Sequence, residues 1–254
     1  MKTSRPSVII VAHGSTVSAE AHEAATQHAV TLRQSHRYGV VQTCFLAASD
    51  QPRLLPQGEI FLLPFFMSNG YFVTIRIPEL FGLEKGMRFE PDRKIYQCDA
   101  LGVDPELAKL IVTMVREICE EKFYAPSAVH VVLVAHGSSK SNASFEATRL
   151  QQAALEATGS FGCVSSVFLN QVPSLEEWLN QRVQDDIPLI LVGLFAAEGP
   201  HATEDVPAAI EKRRREGGPR DKIHYAGAVG TRPEIVKLIQ HSISRCAATV
   251  ATEN

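Results

Sequence analysis

The stretch VVLVAHGSSKSN, residues 131–142, runs from β-branched apolar residues through a histidine and a glycine into small polar residues. VIIVAHGSTVSA, residues 8–19, makes the same passage, and its His13 lies 123 positions before His136. Three further matches between the halves keep the same order. YGVVQTCFLAASDQP from Tyr38 pairs with FGCVSSVFLNQVPSL from Phe161, again 123 apart, through shared Gly, Val and Phe-Leu positions. LLPFFMSNGYFVTIRIP, ending at Pro78, pairs with LVGLFAAEGPHATEDVP, ending at Pro207, 129 apart. ALGVDPELAKLIVTMV from Ala100 pairs with AVGTRPEIVKLIQHSI from Ala228, 128 apart. Ordered matches at a nearly constant offset identify a duplicated module with a small insertion in the second copy.

Each copy alternates strand and helix. SVIIVAHGS and AVHVVLVAHGS have the continuous apolar run of a strand buried on both faces. The helical segments that follow, SAEAHEAATQHAVTLRQS and NASFEATRLQQAALEATG, are preceded by Ser18 and Asn142 as expected N-caps. VVQTCFLA, EIFLLPFF and KIYQCDAL supply further strands in the first copy, and VSSVFLNQ, PLILVGLF and KIHYAGAV in the second. PSLEEWLNQRVQ, TEDVPAAIEKRRREG and PEIVKLIQHSISRC supply helices. This alternation predicts an α/β fold of two similar doubly wound parallel-sheet lobes. The expected lobes are residues 1–122 and 123–254, meeting near EEKFYAPSA with a cleft between them.

A chain of 254 residues, 45% of them hydrophobic, is long enough to bury full cores. The apolar stretch near the N-terminus is too short for a signal-peptide core or a membrane span, which predicts a cytoplasmic protein with no membrane partner. Cys44, Cys98, Cys119, Cys163 and Cys246 are scattered without a CxxC pair, so no disulfide framework, cysteine-ligated zinc or iron-sulfur cluster is expected. A net charge of −3 gives no footing for nucleic-acid binding, and the basic run EKRRREGGPRDK is interleaved with acids.

Ligands of doubly wound folds bind at the carboxyl ends of the strands, where both histidine turns would lie. Gly14 and Gly137 free the backbone to turn there, and Ser15 and Ser138 enter the loops. A histidine hydrogen-bonded in a strand-to-loop corner is the plain structural alternative for either. EGPHATEDVP then places Glu198, His201, Glu204 and Asp205 after a second apolar run, with His201 and Asp205 four apart, so that a helix here puts them on one face. Acids favoured by a helix start are the alternative for Glu204 and Asp205. At the matched positions the first copy has Phe72 for His201, and Ile75 and Arg76 for Glu204 and Asp205. Neutral imidazoles with a carboxylate suit divalent Co, Ni, Fe or Zn, and imidazole also takes up protons near neutral pH. HExxH is absent, and Ala rather than the Arg of an RHG phosphatase turn precedes the strand-end histidine.

LVAHGS followed about 65 residues later by GPHATEDVP resembles the class II tetrapyrrole chelatases of the CbiX/SirB type. Their second motif reads GGHxxxDIP, and the resemblance spans both halves, with FLNQVPSL and GAVGTRPEI similar to further family segments. It implies insertion of a divalent metal, Co2+ or Fe2+ with Ni2+ a further candidate, into sirohydrochlorin or a related tetrapyrrole, without ATP or another nucleotide. It also implies that His136 and His201 are the catalytic pair, one removing pyrrole protons and both touching the metal. A non-catalytic tetrapyrrole or metal carrier descended from a chelatase is the alternative. The sequence departs from the family pattern at Pro200, and at Asn170 and Ala47, where a glutamate is common. Glu204 is the expected third metal ligand, with Glu198 or Asp205 as alternatives. Ser138, Ser139, His13, Phe72 and Glu198 are the expected substrate-binding residues. Phe65, Phe66, Met67, Tyr71, Phe72 and Phe195 are candidates for an apolar slot, Lys140, Arg76 and the loop amides for carboxylate recognition, and core packing is the alternative for each aromatic. The protein would work as a monomer or homodimer.

Overall fold

Five consecutive apolar residues follow the polar Ser7 in Ser7–Ala12 (β1), all six are buried, and the counterpart His130–Ala135 (β6) repeats this behind His130. The computed structural model describes residues 5–14, 20–46, 54–181, 186–218 and 221–253 of the chain. Around each central strand the chain builds a separate compact unit.

In the first unit, β1 is flanked by Val41–Phe45 (β2) and Gly58–Pro64 (β3), both parallel to it. Arg93–Gln97 (β5) extends the sheet in parallel, and Met87–Glu90 (β4) closes it antiparallel, giving the order β2-β1-β3-β5-β4. Helix Glu20–Gln34 (α1) packs on β1 and β2. The opposite face is covered by Ile77–Phe81 (α2), whose Ile77 and Phe81 bury against Ile9, Val11, Ile60, Leu62 and Ile95. Gly82, in the left-handed region at φ 63°, stops α2 after one turn, and the chain turns back into β4.

The second unit has the all-parallel order β7-β6-β8-β9, with Cys163–Phe168 (β7), Leu189–Gly193 (β8) and Ile223–Ala228 (β9). The length that the first unit spends on α2 and β4 is here one longer helix, Val206–Arg215 (α6). With Leu175–Asn180 (α5), α6 covers one face, where Leu175, Leu179, Val206 and Ile210 join Val132, Val134 and Leu191. Ala143–Ala157 (α4) and Leu107–Lys122 (α3) cover the other.

The expected fold class is thus present, but the units do not divide at 122/123. They comprise residues 1–104 with 232–254, and 105–231. Helix α3, from the first repeat, packs on α4, β8 and β9, while Ile235–Glu253 (α7), from the second, packs on α1 and β3. The two equivalent helices have exchanged sheets. Of the expected caps, Ser18 lies outside the described residues. Asn142 stands at the N-cap of α4 but makes no side-chain cap bond, and Ser141 Oγ accepts the Ala143 amide at 3.1 Å instead. Ser174 caps α5 by accepting from the Glu177 amide. No described helix is long and apolar enough to cross a membrane.

Candidate functional site

In the second unit β6 hydrogen-bonds β7 on one side and β8 on the other, so the chains leaving β6 and β8 diverge toward β7 and β9. That divergence opens a crevice at the strand ends. His136 is the first residue after β6, and His201 follows β8 by a short loop. Their ring centroids lie 4.5 Å apart at an interplanar angle of 67°.

Each ring is oriented through Nδ1. His136 Nδ1 lies 2.8 Å from the Gly137 carbonyl oxygen, which can only accept, so Nδ1 carries the hydrogen and Nε2 keeps its lone pair. Asn170 Nδ2 approaches that Nε2 at 3.2 Å, and the Asn170 amide donates to the His136 carbonyl at 2.9 Å. His201 Nδ1 lies 2.5 Å from Asp205 Oδ2 and donates to it, which leaves Nε2 as the accepting nitrogen. A carboxylate behind an imidazole fixes its tautomer and raises its power as ligand or base.

Backbone geometry produces the His201–Asp205 pair. Residues His201–Asp205 form a π-helical turn in which the Val206 amide reaches back five residues to the His201 carbonyl. Pro207 has no amide hydrogen to offer the Thr203 carbonyl, so the ladder shifts just where the α-helical donor is missing. The first unit repeats this at Phe72–Arg76, followed by Pro78. The histidine corners also match: Gly14 at φ 69° and Gly137 at φ 77° take left-handed conformations. A Cβ on Gly137 would lie 2.8 Å from Gln171 Cβ and 3.0 Å from Phe168 Cβ.

Residue by residue, the expected set divides. His136, His201 and Asp205 come together. Glu204 is exposed, and among the described residues no group of three or more His, Cys, Asp and Glu side chains is arranged to hold a metal. Glu204 with the two histidines is therefore not a ready-made ligand set. Glu198 Oε1 accepts the Ala228 amide at 3.0 Å, as Asn69 Oδ1 accepts the Ala100 amide at 3.3 Å in the first unit. Glu198 thus clasps the loop after β8 to the end of β9. Ser138 is likewise engaged within its loop: its amide donates to Gln171 Oε1 at 3.1 Å and its hydroxyl accepts from the Lys140 amide at 3.1 Å. The Gly137 amide donates to Ser144 Oγ at 3.3 Å, so these amides are spent on shaping the loop. Ser139 and Lys140 are exposed. Ser15 and Ala47 lie outside the described residues.

His13 makes the same corner bond, Nδ1 to the Gly14 carbonyl at 2.8 Å, and meets the Phe72 ring edge-on at 4.6 Å. Phe66 stacks on Phe72 at 5.9 Å and Tyr71 adds an edge contact at 5.6 Å. Of the other slot candidates, Phe65 and Phe195 are buried and Met67 is half-buried. Arg76, in the place of Asp205, pairs with Glu79 at 3.7 Å.

A cavity of about 810 Å3 adjoins the second site, lined by Asn170, His201, Asp205, Glu176, Lys212 and Arg215 among others, a size within the small-molecule range. Gln171, which anchors the histidine loop, and Asn170, as the neighbour of His136 Nε2, carry roles that composition and spacing do not announce.

The CbiX family model matches residues 7–118 and again 130–246. A protein of Halobacterium salinarum named probable sirohydrochlorin cobaltochelatase is 25% identical over 277 residues, covering 96% of this chain and 92% of the relative. SirB from Bacillus subtilis, solved with Fe3+, shares the fold at a TM-score of 0.80 and 17% identity, with 98% of each chain covered. CbiX, described as the terminal enzyme of siroheme biosynthesis in denitrifying bacteria, aligns at a TM-score of 0.70 and 22% identity, over 95% of this chain and 99% of its own. A multi-domain protein of Deinococcus radiodurans with similarity to chelatases aligns at 0.76 and 22% identity, covering 93% of this chain but 54% of that one.

Proposed function

The chain belongs to the CbiX family, and from that premise we propose that it inserts a divalent metal ion into sirohydrochlorin or a related tetrapyrrole at the His136–His201 site. The metal, Co2+ or Fe2+ with Ni2+ a further candidate, is a substrate of the reaction, and no nucleotide takes part. The observation that carries the proposal is the pairing of two imidazoles 4.5 Å apart whose Nδ1 atoms are both engaged as donors. Each ring then presents Nε2 as its acceptor, that of His136 toward the exchangeable Asn170 Nδ2 at 3.2 Å, and this nitrogen can accept a pyrrole proton or touch an incoming cation, but not both at once.

The two nitrogens divide that work. Asp205 stabilises positive charge on the His201 ring, so His201 takes the proton released as a pyrrole nitrogen turns to the metal. His136, backed by a neutral carbonyl, is the softer contact for the cation. A site that hands its metal on is served better by two nitrogens than by a closed shell of protein ligands, which would hold the ion against the macrocycle. Ser139 and Lys140 are exposed beside His136 and are suited to meet substrate carboxylates. In the first unit the cluster of His13, Phe66, Tyr71 and Phe72 offers a planar macrocycle aromatic surface without a base or ligand pair.

The test is a panel of Co2+, Fe2+ and Ni2+ against sirohydrochlorin, followed by absorbance, with the parent protein and His136→Ala. Accelerated insertion by the parent and a background rate for the variant support the proposal. Tight binding of metallated product without turnover would identify a carrier instead.

A further inference from the structure

Two cysteines far apart in sequence meet in the first unit. Cys98 follows β5 and is buried, while Cys246 sits on α7 and is half-buried. Cys246 Sγ lies 3.8 Å from the carbonyl oxygen of Gln97, the residue before Cys98, which brings the two thiols together. Both line a cavity of about 400 Å3 with Tyr96, Asp99, Ser242 and Arg245, so a small oxidant can reach the pair.

We propose that Cys98 and Cys246 are an oxidation site, closing to a reversible disulfide that fastens α7 to the end of β5 under hydrogen peroxide or a low-molecular-weight disulfide. The two sulfurs are unequal. The neighbouring Cys98 thiol holds the Cys246 thiol below the usual range, and Cys246 together with burial pushes Cys98 well above it. Cys246, the more accessible and more acidic, is therefore the attacking sulfur. Its thiolate attacks one peroxide oxygen; the S–O bond forms, the O–O bond breaks, and hydroxide leaves to become water. Cys98 then gives up its proton and attacks the Cys246 sulfur; the S–S bond forms, the S–O bond breaks, and a second water leaves. Two thiols are oxidised by two electrons and one peroxide is reduced to two waters. With a low-molecular-weight disulfide the same two attacks proceed by exchange and release two small thiols.

The link matters because α7 comes from the second repeat and is otherwise held on the first unit by non-covalent contacts, its packing on α1 and β3 and the Arg245–Asp104 ion pair. A bond between residues 98 and 246 closes a loop of 148 residues (246 − 98), the long-loop case in which a cross-link restricts the unfolded chain most.

The experiment uses the folded full chain carrying Cys163→Ser, which removes an exposed thiol that would otherwise compete. The protein is treated with hydrogen peroxide or with glutathione disulfide, quenched in acid, alkylated and mapped by mass spectrometry. The expected result is a 98–246 cross-linked peptide that dithiothreitol abolishes, absent when Cys246→Ser is added, with the unfolding temperature raised by about 9 °C in the oxidised form. Recovery of Cys98 as a free thiol with Cys246 glutathionylated or over-oxidised overturns the proposal, as does a disulfide joining other cysteines.

Discussion

His201→Phe turns the second site into a copy of the first at its central position. The replacement ring has a template in the same molecule: Phe72 meets His13 edge-on at 4.6 Å, as His201 meets His136 at 4.5 Å. The ring contact should therefore survive. What disappears is the Nε2 lone pair and the Nδ1 bond to Asp205. That bond joins side chains 44% and 52% exposed, so its loss costs at most about 1 kcal/mol of stability and leaves Asp205 in water. The unfolding temperature should move by less than about 4 °C. The rate of metal insertion into sirohydrochlorin, followed by absorbance and corrected for the reaction without protein, should fall about 10²- to 10⁴-fold, equivalent to about 2.7–5.4 kcal/mol in the barrier. A variant that folds like the parent and inserts metal at a rate within a few-fold of it would refute the assignment of the base to His201.

Asp205→Asn retains an oxygen for the His201 Nδ1 hydrogen but removes the charge, and insertion should slow about 10- to 100-fold; an unchanged rate in the same absorbance assay would make Asp205 a helix-start acid only. Glu198→Gln keeps the acceptor for the Ala228 amide, as Asn69 does for Ala100, so its metal-insertion rate should match the parent's. Glu198→Ala should cost about 1 kcal/mol in urea unfolding. Burial holds the His224 imidazole below its ordinary range, with Lys122 and Arg214 opposing its charge, while Tyr124 hydrogen-bonds Nε2 at 3.1 Å. The unfolded chain, titrating near ~6.5, takes up the proton first as pH falls. The stability His224 contributes is therefore full above that value and is lost as pH drops through the lower folded value. Urea titrations from neutral to mildly acidic pH should show a shallower decline for His224→Gln than for the parent.

The buried strands and the duplication were legible because continuous apolar runs ending in His-Gly occur twice in register. The convergence of His136 and His201 followed from placing both at strand ends of a doubly wound sheet. Other features depend on tertiary packing, to which local pattern is blind. Helices α3 and α7 are near-equivalent in sequence, and nothing in either says which sheet it will cover, so the unit boundaries fell elsewhere than 122/123. Strand β4 has four residues and follows a helix of one turn, too short for either period to register. Glu198 and Ser138 have the chemistry of ligand-binding residues, but their oxygens accept backbone amides of their own unit. Cys98 and Cys246 look unrelated along the chain and become neighbours only when α7 docks beside β5.

The most direct measurement is the initial rate of Co2+ insertion into sirohydrochlorin by the parent protein, beside the reaction without protein and with the His136→Ala/His201→Ala double variant. The parent should exceed the background by about 10²-fold or more, without nucleotide, and the double variant should match the background. A parent no faster than background, or a double variant as fast as the parent, would contradict the account.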